Sequence, residues 1–152
     1  MKFPIIRIFG DRSIVQSRKS EFIKFIAHLS PPNHLRLKGA AREHLRTSAI
    51  IDFEGKYYEV IPGKLKRAWL AKLAPICDLT SMDCVLAEGR VLTVGELQQM
   101  AKQWKNVFAR SFRKFLVQQD PNMIFDAKMF RQAWEHSYIE LPEEEWGEDA
   151  FS

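Results

Sequence analysis

The segment 92–118 constrains the fold most, because its apolar residues recur with the period of an α-helix over the longest stretch in the chain. Thr93 stands at the N-cap position and Glu96 follows three residues later, which is the spacing of a capping box. Leu92 and Leu97 occupy the two positions of a hydrophobic staple. The pattern predicts one long amphipathic helix over this segment.

The predicted helix has two unlike faces. At 100° per residue its apolar side chains fall within an arc of roughly 140°, and this arc is expected to pack against a core. The other side carries five cations, and no acid lies between Leu97 and Gln119. The apolar positions are Leu97, Met100, Ala101, Trp104, Val107, Phe108, Phe112 and Phe115, and the cations are Lys102, Lys105, Arg110, Arg113 and Lys114.

The first half of the chain is predicted to form mainly β-sheet. Residues 2–9 are apolar on both faces of an extended strand, which favours a central position in a sheet. A helix capped by Asp11 or Ser13 is expected to follow and to end before Pro31. Residues 48–53 and 56–61 alternate as two strands joined across Gly55, which is free to take a positive φ at the turn.

Shorter elements fill the rest of the chain. Residues 33–46 fit a strand or helical turns equally well, and 64–73 predict a short helix after Pro62-Gly63. A loop and a short helix are expected between residues 76 and 90. Asp126 caps a last helix to about residue 138, and Leu141-Pro142 is expected to end regular structure.

Together these elements predict an α+β domain over residues 1–141. Its small antiparallel or mixed sheet, formed by the N-terminal strand and the central hairpin, packs against the long amphipathic helix and two or three shorter helices. A length of 152 residues with 46% apolar content suits one domain. No run approaches the roughly 18 apolar residues of a membrane span, so we expect a cytoplasmic protein with no membrane partner. Cys77 and Cys84 are expected to be reduced thiols, and no cofactor or metal is predicted.

The charge is divided unevenly along the chain. Residues 140–152 contain six of the 19 acids and no Lys or Arg, so the body holds all 23 cations against the other 13 acids. We expect residues 142–152 to be a flexible acidic tail, serving either as a solubilising segment or as a docking peptide for a protein partner. The residues expected to dock are Glu143, Glu144, Glu145, Trp146 and Phe151.

Two sequence patterns are compatible with an enzyme. Glu54 and Lys56, with Asp11 upstream, match the carboxylate and lysine set that holds magnesium in metal-dependent nucleases, but a tight turn at Gly55 should direct them into solvent. Arg131 and His136 have the spacing of a catalytic pair in one class of helical ribonucleases, and a surface pair is the preferred interpretation. No Gly-rich phosphate loop or G-x-S-x-G motif is present.

The basic strips give the leading functional prediction. They favour a non-enzymatic interaction protein that binds nucleic acid, a nucleoprotein complex or another acidic protein surface. The alternatives are an inhibitor, immunity or adaptor protein with one specific protein partner, and in third place a small nuclease. A solvated outer face would explain the long strip equally well. The predicted contact residues are Lys64, Lys66, Arg67 and Lys72 on the short helix, and Lys102, Lys105, Arg110, Arg113 and Lys114 on the long one.

Overall fold

The main sheet is antiparallel, with strand order β3-β2-β4-β5-β6. The computed structural model describes residues 1–19, 47–67, 80–137 and 140–149, and for 61–67 and 80–85 it describes the backbone. A short β7 pairs with the first residues of β5, and β1 pairs separately with β8. The strands are β1 (Lys2–Phe3), β2 (Ile5–Phe9), β3 (Ile14–Ser17), β4 (Thr47–Ile51), β5 (Lys56–Arg67), β6 (Thr80–Leu86), β7 (Arg90–Val91) and β8 (Glu148–Asp149).

Three helices pack on one face of this sheet. They are α1 (Val94–Ala101), α2 (Val107–Val117) and α3 (Ala127–Glu135), and a single 3₁₀ turn follows at Glu143–Glu145. The α+β prediction is confirmed, and so is the hairpin across Gly55, whose φ is +79°. The strand predicted over residues 2–9 is divided at Pro4 into β1 and β2, and only β2 has the expected central position.

The core follows from the alternation of each strand. Ile6 and Ile8 of β2 and Ile51 of β4 face the helices, where they join the buried faces of α1, α2 and α3. The opposite face of the sheet buries Ile5 and Ile50 in a second, smaller cluster. Both faces of β2 are therefore buried, as the apolar residues on either side of Arg7 predict. Arg7 is buried as well, and its guanidinium donates to the Thr47 hydroxyl oxygen at 3.0 Å.

The predicted helix over 92–118 is two helices rather than one. Its start is confirmed, because the Thr93 hydroxyl accepts from the Glu96 amide and the Glu96 carboxylate accepts from the Thr93 amide. The break follows from Asn106, whose side chain caps a new helix by accepting from the Ala109 amide at 3.1 Å. Two shorter helices can fold against each other and both cover the sheet, which one straight helix could not do.

Asp11 caps a turn and not a helix, so the predicted helix start is wrong. Its Oδ1 accepts from both the amide and the hydroxyl of Ser13, and the chain then enters β3. An aspartate that accepts from an amide two residues on serves a tight turn as well as a helix start, which explains the error. The rest of that predicted helix, from residue 20, lies outside the described residues, as does segment 33–46.

The short helix predicted over 64–73 is wrong for its first four residues, which extend β5 to Arg67. Pro62-Gly63 does not end the hairpin, because the register shifts there and a bulge accommodates a residue that lacks an amide proton. The helix expected after Thr80 is strand β6. Residues 68–79, which include Lys72 and Cys77, lie outside the described part, so the state of the thiols stays a prediction.

Candidate acidic-partner interface

The connection between α1 and α2 is held firmly against the body of the protein. Trp104 is only 5% exposed and stacks on Phe112, with ring centroids 5.7 Å apart. The Lys105 amide donates to the carbonyl oxygen of Arg12 at 2.7 Å, and the Asn106 amide group donates to the Ile14 carbonyl at 2.6 Å. These bonds fix the backbone, while the side chains of Lys102 and Lys105 remain exposed.

The outer face of α2 carries two cations between two valines. Arg110 and Lys114 are four residues apart and both are exposed. Val107 is 71% exposed and Val117 is 75% exposed, and their spacing places them on the same face as the two cations. This face therefore offers charge and apolar area together.

Four cations of this region make none of the described ion pairs. We call Lys102, Lys105, Arg110 and Lys114 the cationic segment. Within the described part of the chain, the ion pairs join other residues. Lys102 donates to the side-chain oxygen of Gln99 at 2.8 Å, which leaves its charge uncompensated. The cationic segment thus presents positive charge to solvent.

Arg113 does not belong to the cationic segment, although the helical period predicted that it lies on the same exposed face. Its guanidinium is half-buried and donates to the carbonyl oxygens of Ala101, at 3.0 Å, and of Trp104. The Ala101 carbonyl belongs to the last residue of α1, where helix carbonyls lack partners within the helix, and the Trp104 carbonyl lies in the connection to α2. Arg113 is therefore a capping group that joins the two helices.

The second predicted basic strip is not a helix surface. Lys64, Lys66 and Arg67 lie in β5, where Lys66 is paired with Ser81 and Arg67 with Thr80 across the sheet. Neighbouring side chains of a strand point to opposite faces, so these residues do not form one helical strip with Lys72. The structure gives no side-chain positions for them and does not describe Lys72.

The acidic C-terminal segment folds onto the body as far as it is described. Residues 140–149, which we call the C-terminal strap, contain the 3₁₀ turn and β8, whereas a flexible tail was expected. Trp146 is half-buried, and its ring lies 5.5 Å from Phe53 and 6.0 Å from Trp134. The Trp146 ring reaches the core and so attaches this polar segment to the body of the protein, which explains why the segment is folded and not flexible as expected. Phe151 lies outside the described residues.

Arg131 of α3 contacts both a carboxylate and the aromatic ring of the strap. Its guanidinium makes two parallel hydrogen bonds to the Glu143 carboxylate, at 2.9 and 2.6 Å, and lies 4.9 Å from the centre of the Trp146 ring. These bonds hold the pKa of Glu143 below its ordinary value of 4.5 and raise that of Arg131. The strap is thus clamped at the aromatic ring that anchors it.

Other contacts of the strap lie at the N-terminal part of the chain. Gly147 donates its amide to the Phe3 carbonyl at 2.8 Å, next to the β1-β8 pairing. Glu148 pairs with Lys19 at 2.7 Å, and Glu145 lies 3.6 Å from Arg18. The strap therefore forms ion pairs with Arg18 and Lys19, which follow β3, and with Arg131 of α3. Glu144 is exposed and makes none of the described ion pairs.

Glu54 of the nuclease-like pattern and its neighbour Asp52 stabilise the hairpin. Asp52 is fully buried, and its carboxylate accepts from the amides of Lys2, Glu54 and Lys56 and from the Tyr58 hydroxyl. Glu54 pairs with Lys2 at 2.8 Å and with Lys56 at 3.3 Å. The hydrogen bond from Lys2 lowers the pKa of Glu54. In the described part of the chain, no three His, Cys, Asp or Glu side chains are grouped as metal ligands.

The ribonuclease-like pair is also engaged otherwise. Arg131 binds Glu143 and, within its own helix, Glu135 at 3.1 Å. His136 is exposed, and its ring lies 6.2 Å from that of Phe115. These contacts favour the surface-pair interpretation.

A groove beside the cationic segment was not anticipated from the sequence. It has a volume of about 310 Å³ and lies between the end of α1 and the ends of β2, β4 and β5. We call it the Tyr57 groove. The alternation of β5 could have indicated that Tyr57 faces the helices, but nothing local links it to Arg12. The lining residues are Ile8, Phe9, Gly10, Arg12, Ser48, Tyr57, Met100, Gln103 and Trp104.

No protein-family model matches this chain, and no curated protein or solved structure is significantly similar to it. Among the described residues, no helix has both the length and the apolar character needed to cross a bilayer.

Proposed function

We propose that this protein is a non-enzymatic interaction protein that binds an acidic macromolecule, with nucleic acid as the favoured partner, through Lys102, Lys105, Arg110 and Lys114. The supporting observation is that these four exposed cations make no ion pair with any described residue. Cations that are not neutralised internally release counterions from a polyanion when they contact its phosphates.

The position of the strap supports the same proposal. Glu145, Glu148 and Glu143 pair with Arg18, Lys19 and Arg131, so these three acids are engaged away from the cationic segment. An external polyanion therefore does not have to displace them. This favours binding in trans over the internal masking that the charge division alone suggested.

The test is to replace Arg110 and Lys114 by Gln and to measure binding to a labelled oligonucleotide at several salt concentrations. We expect weaker binding and a slope of log K against log salt that is shallower by about 1.4 to 1.8, at about 0.7 to 0.9 per phosphate contact. Both side chains are exposed, so the free energy of unfolding should change by less than about 0.5 kcal/mol.

A matched control replaces Lys56 and Lys128 by Gln, which removes the same charge from other parts of the surface. Its salt slope should stay close to that of the wild-type protein. An unchanged affinity in a folded R110Q/K114Q variant, or an equal loss in the control, would contradict the proposed interface.

A second candidate function is binding of one specific protein partner. This function is favoured by the exposure of Val107 and Val117 beside Arg110 and Lys114. A protein partner can bury apolar side chains, whereas phosphates make no favourable contact with them. Replacing both valines by Thr separates the two functions. A protein partner would then bind more weakly, whereas the affinity for a polyanion would stay the same.

A further inference from the structure

The Tyr57 groove combines aromatic walls with polar groups that can read a planar ligand. Phe9 and Tyr57 supply half-buried rings, the buried Trp104 lies beneath them, and Met100 adds a polarizable apolar side chain. Gln103 is exposed and offers both a donor and an acceptor. Ser48 donates its hydroxyl to the Ile8 carbonyl at 3.1 Å, so its oxygen still accepts from a ligand.

The groove is continuous with the cationic segment. Arg12 lines it, and the Arg12 carbonyl accepts from the Lys105 amide at 2.7 Å, so these two exposed cations lie side by side. Lys102 directly precedes the lining residue Gln103. A ligand in the groove would therefore have positive charge at its edge, which suits a planar group attached to a phosphate.

The charges near the groove balance in favour of an anion. Asp11 precedes Arg12, and Glu59 is close enough to Tyr57 to contribute, after burial, to raising the pKa of its phenol. Neither acid is among the lining residues. Against them stand Arg12, Lys102 and Lys105. Arg90, whose guanidinium lies 5.1 Å from the centre of the Tyr57 ring, is paired with Glu96 at 3.4 Å and adds no net charge.

From these observations we propose that the Tyr57 groove holds one unstacked base of a single-stranded nucleic acid, whose phosphates contact Arg12 and Lys105. This inference rests on the proposed function and narrows its partner to single strands. A volume of about 310 Å³ is at the lower end of small-ligand pockets. A base within a duplex is stacked on both sides and cannot enter a concave groove, whereas a single strand can turn a base outward.

The experiment measures how three probes with equal numbers of phosphates bind to the full-length protein. They are an oligothymidine strand, a strand of the same length without bases, and a duplex of half that length, in which the bases are paired. We expect the oligothymidine to bind about tenfold more tightly than the strand without bases, as one stacked base would produce. The duplex should resemble the strand without bases.

Two variants separate the base contact from the phosphate contact. Tyr57→Leu should remove the preference for the strand with bases and leave the affinity for the strand without bases unchanged. Arg12→Gly should weaken binding of both single strands to the same extent. Glycine suits this position because the φ of Arg12 is +70°.

A measurement that needs no variant guards against loss of folding. Crosslinking of an iodouracil-containing strand to the wild-type protein should modify the peptides that contain Phe9, Tyr57 or Trp104. Crosslinks elsewhere, or equal affinities for the three probes, would overturn the base-binding inference and leave the proposed function standing. Failure of all three probes to bind would overturn both the base-binding inference and the choice of nucleic acid as partner, and binding of polyglutamate instead would identify an acidic protein surface as the partner.

Discussion

At the scale of single residues, two arginines three positions apart on α2 have different roles. Arg110 is exposed and makes none of the described ion pairs, whereas Arg113 is half-buried and donates to one carbonyl at the end of α1 and one in the connection to α2. Both bonds of Arg113 come from Nη1, whose two N–H groups serve two acceptors at once.

This difference predicts unequal effects on stability. Arg113→Gln should lower the free energy of unfolding by about 1 to 3 kcal/mol, because it leaves two partly buried carbonyls without a charged donor. Arg110→Gln should lie within about 0.5 kcal/mol of wild type, as expected for an exposed position. Urea unfolding of both variants at neutral pH measures the difference. Equal stabilities would mean that Arg113 does not cap α1.

At the scale of elements, the C-terminal strap shows how one aromatic residue organises an acidic segment. Six acids lie between residues 140 and 149, a composition that by itself disfavours folding. Trp146 offsets this by contacting Phe53 and Trp134, while Arg131 binds both its ring and Glu143. The strap is thus an element of the fold whose order depends on tertiary contacts.

Trp146→Ala should therefore release the strap. We expect a loss of about 2 to 3 kcal/mol, less than for a fully buried tryptophan, and faster proteolysis within residues 140–149. Glu144→Ala is the control, because its side chain is exposed and makes none of the described ion pairs. If both variants are cleaved at the same rate, the tryptophan does not anchor the strap.

At the scale of the whole molecule, carboxylates join parts of the chain that are distant in sequence. Glu54 at the hairpin turn pairs with Lys2 at the N terminus, and Glu143 in the strap binds Arg131 of α3. In each case a hydrogen bond from the cation lowers the pKa of the glutamate below 4.5. The Thr93 amide, as the helix cap, lowers the pKa of Glu96 in the same direction.

These shifts predict that the fold is less stable in acid. A glutamate whose pKa is lower in the folded than in the unfolded state stabilises the fold fully above its unfolded value of about 4.5. That contribution is lost as the pH falls below 4.5 and through the folded-state pKa. Urea midpoints should therefore fall between about pH 5 and pH 3.

Glu143→Gln tests which acid contributes to this loss. The variant should be less stable than wild type at neutral pH, and its midpoint should fall less on acidification, because one group no longer takes up a proton. A midpoint that stays constant down to about pH 3 in the wild-type protein would contradict the linkage.

Sequence reasoning found the features that depend on a few neighbouring residues. The Thr93–Glu96 capping box, the Asp126 cap and the positive φ of Gly55 are set by the local geometry of a helix start or a turn. Burial of Trp104, Phe112 and Phe115 was also predictable, since the helical period places them on one face. The sequence did not reveal that Asn106 interrupts the predicted helix, because an asparagine that caps a helix and one inside a helix cannot be distinguished by sequence.

The tertiary structure alone decided which side chains remain available for function. It turned Arg113 toward carbonyls nine and twelve residues earlier, paired the strap with β1, and brought Arg12 beside Lys105 and the Tyr57 groove. These arrangements depend on which apolar surfaces are buried together over the whole chain. Local periodicity fixes the face that a residue occupies, but only the packed fold determines what lies opposite that face.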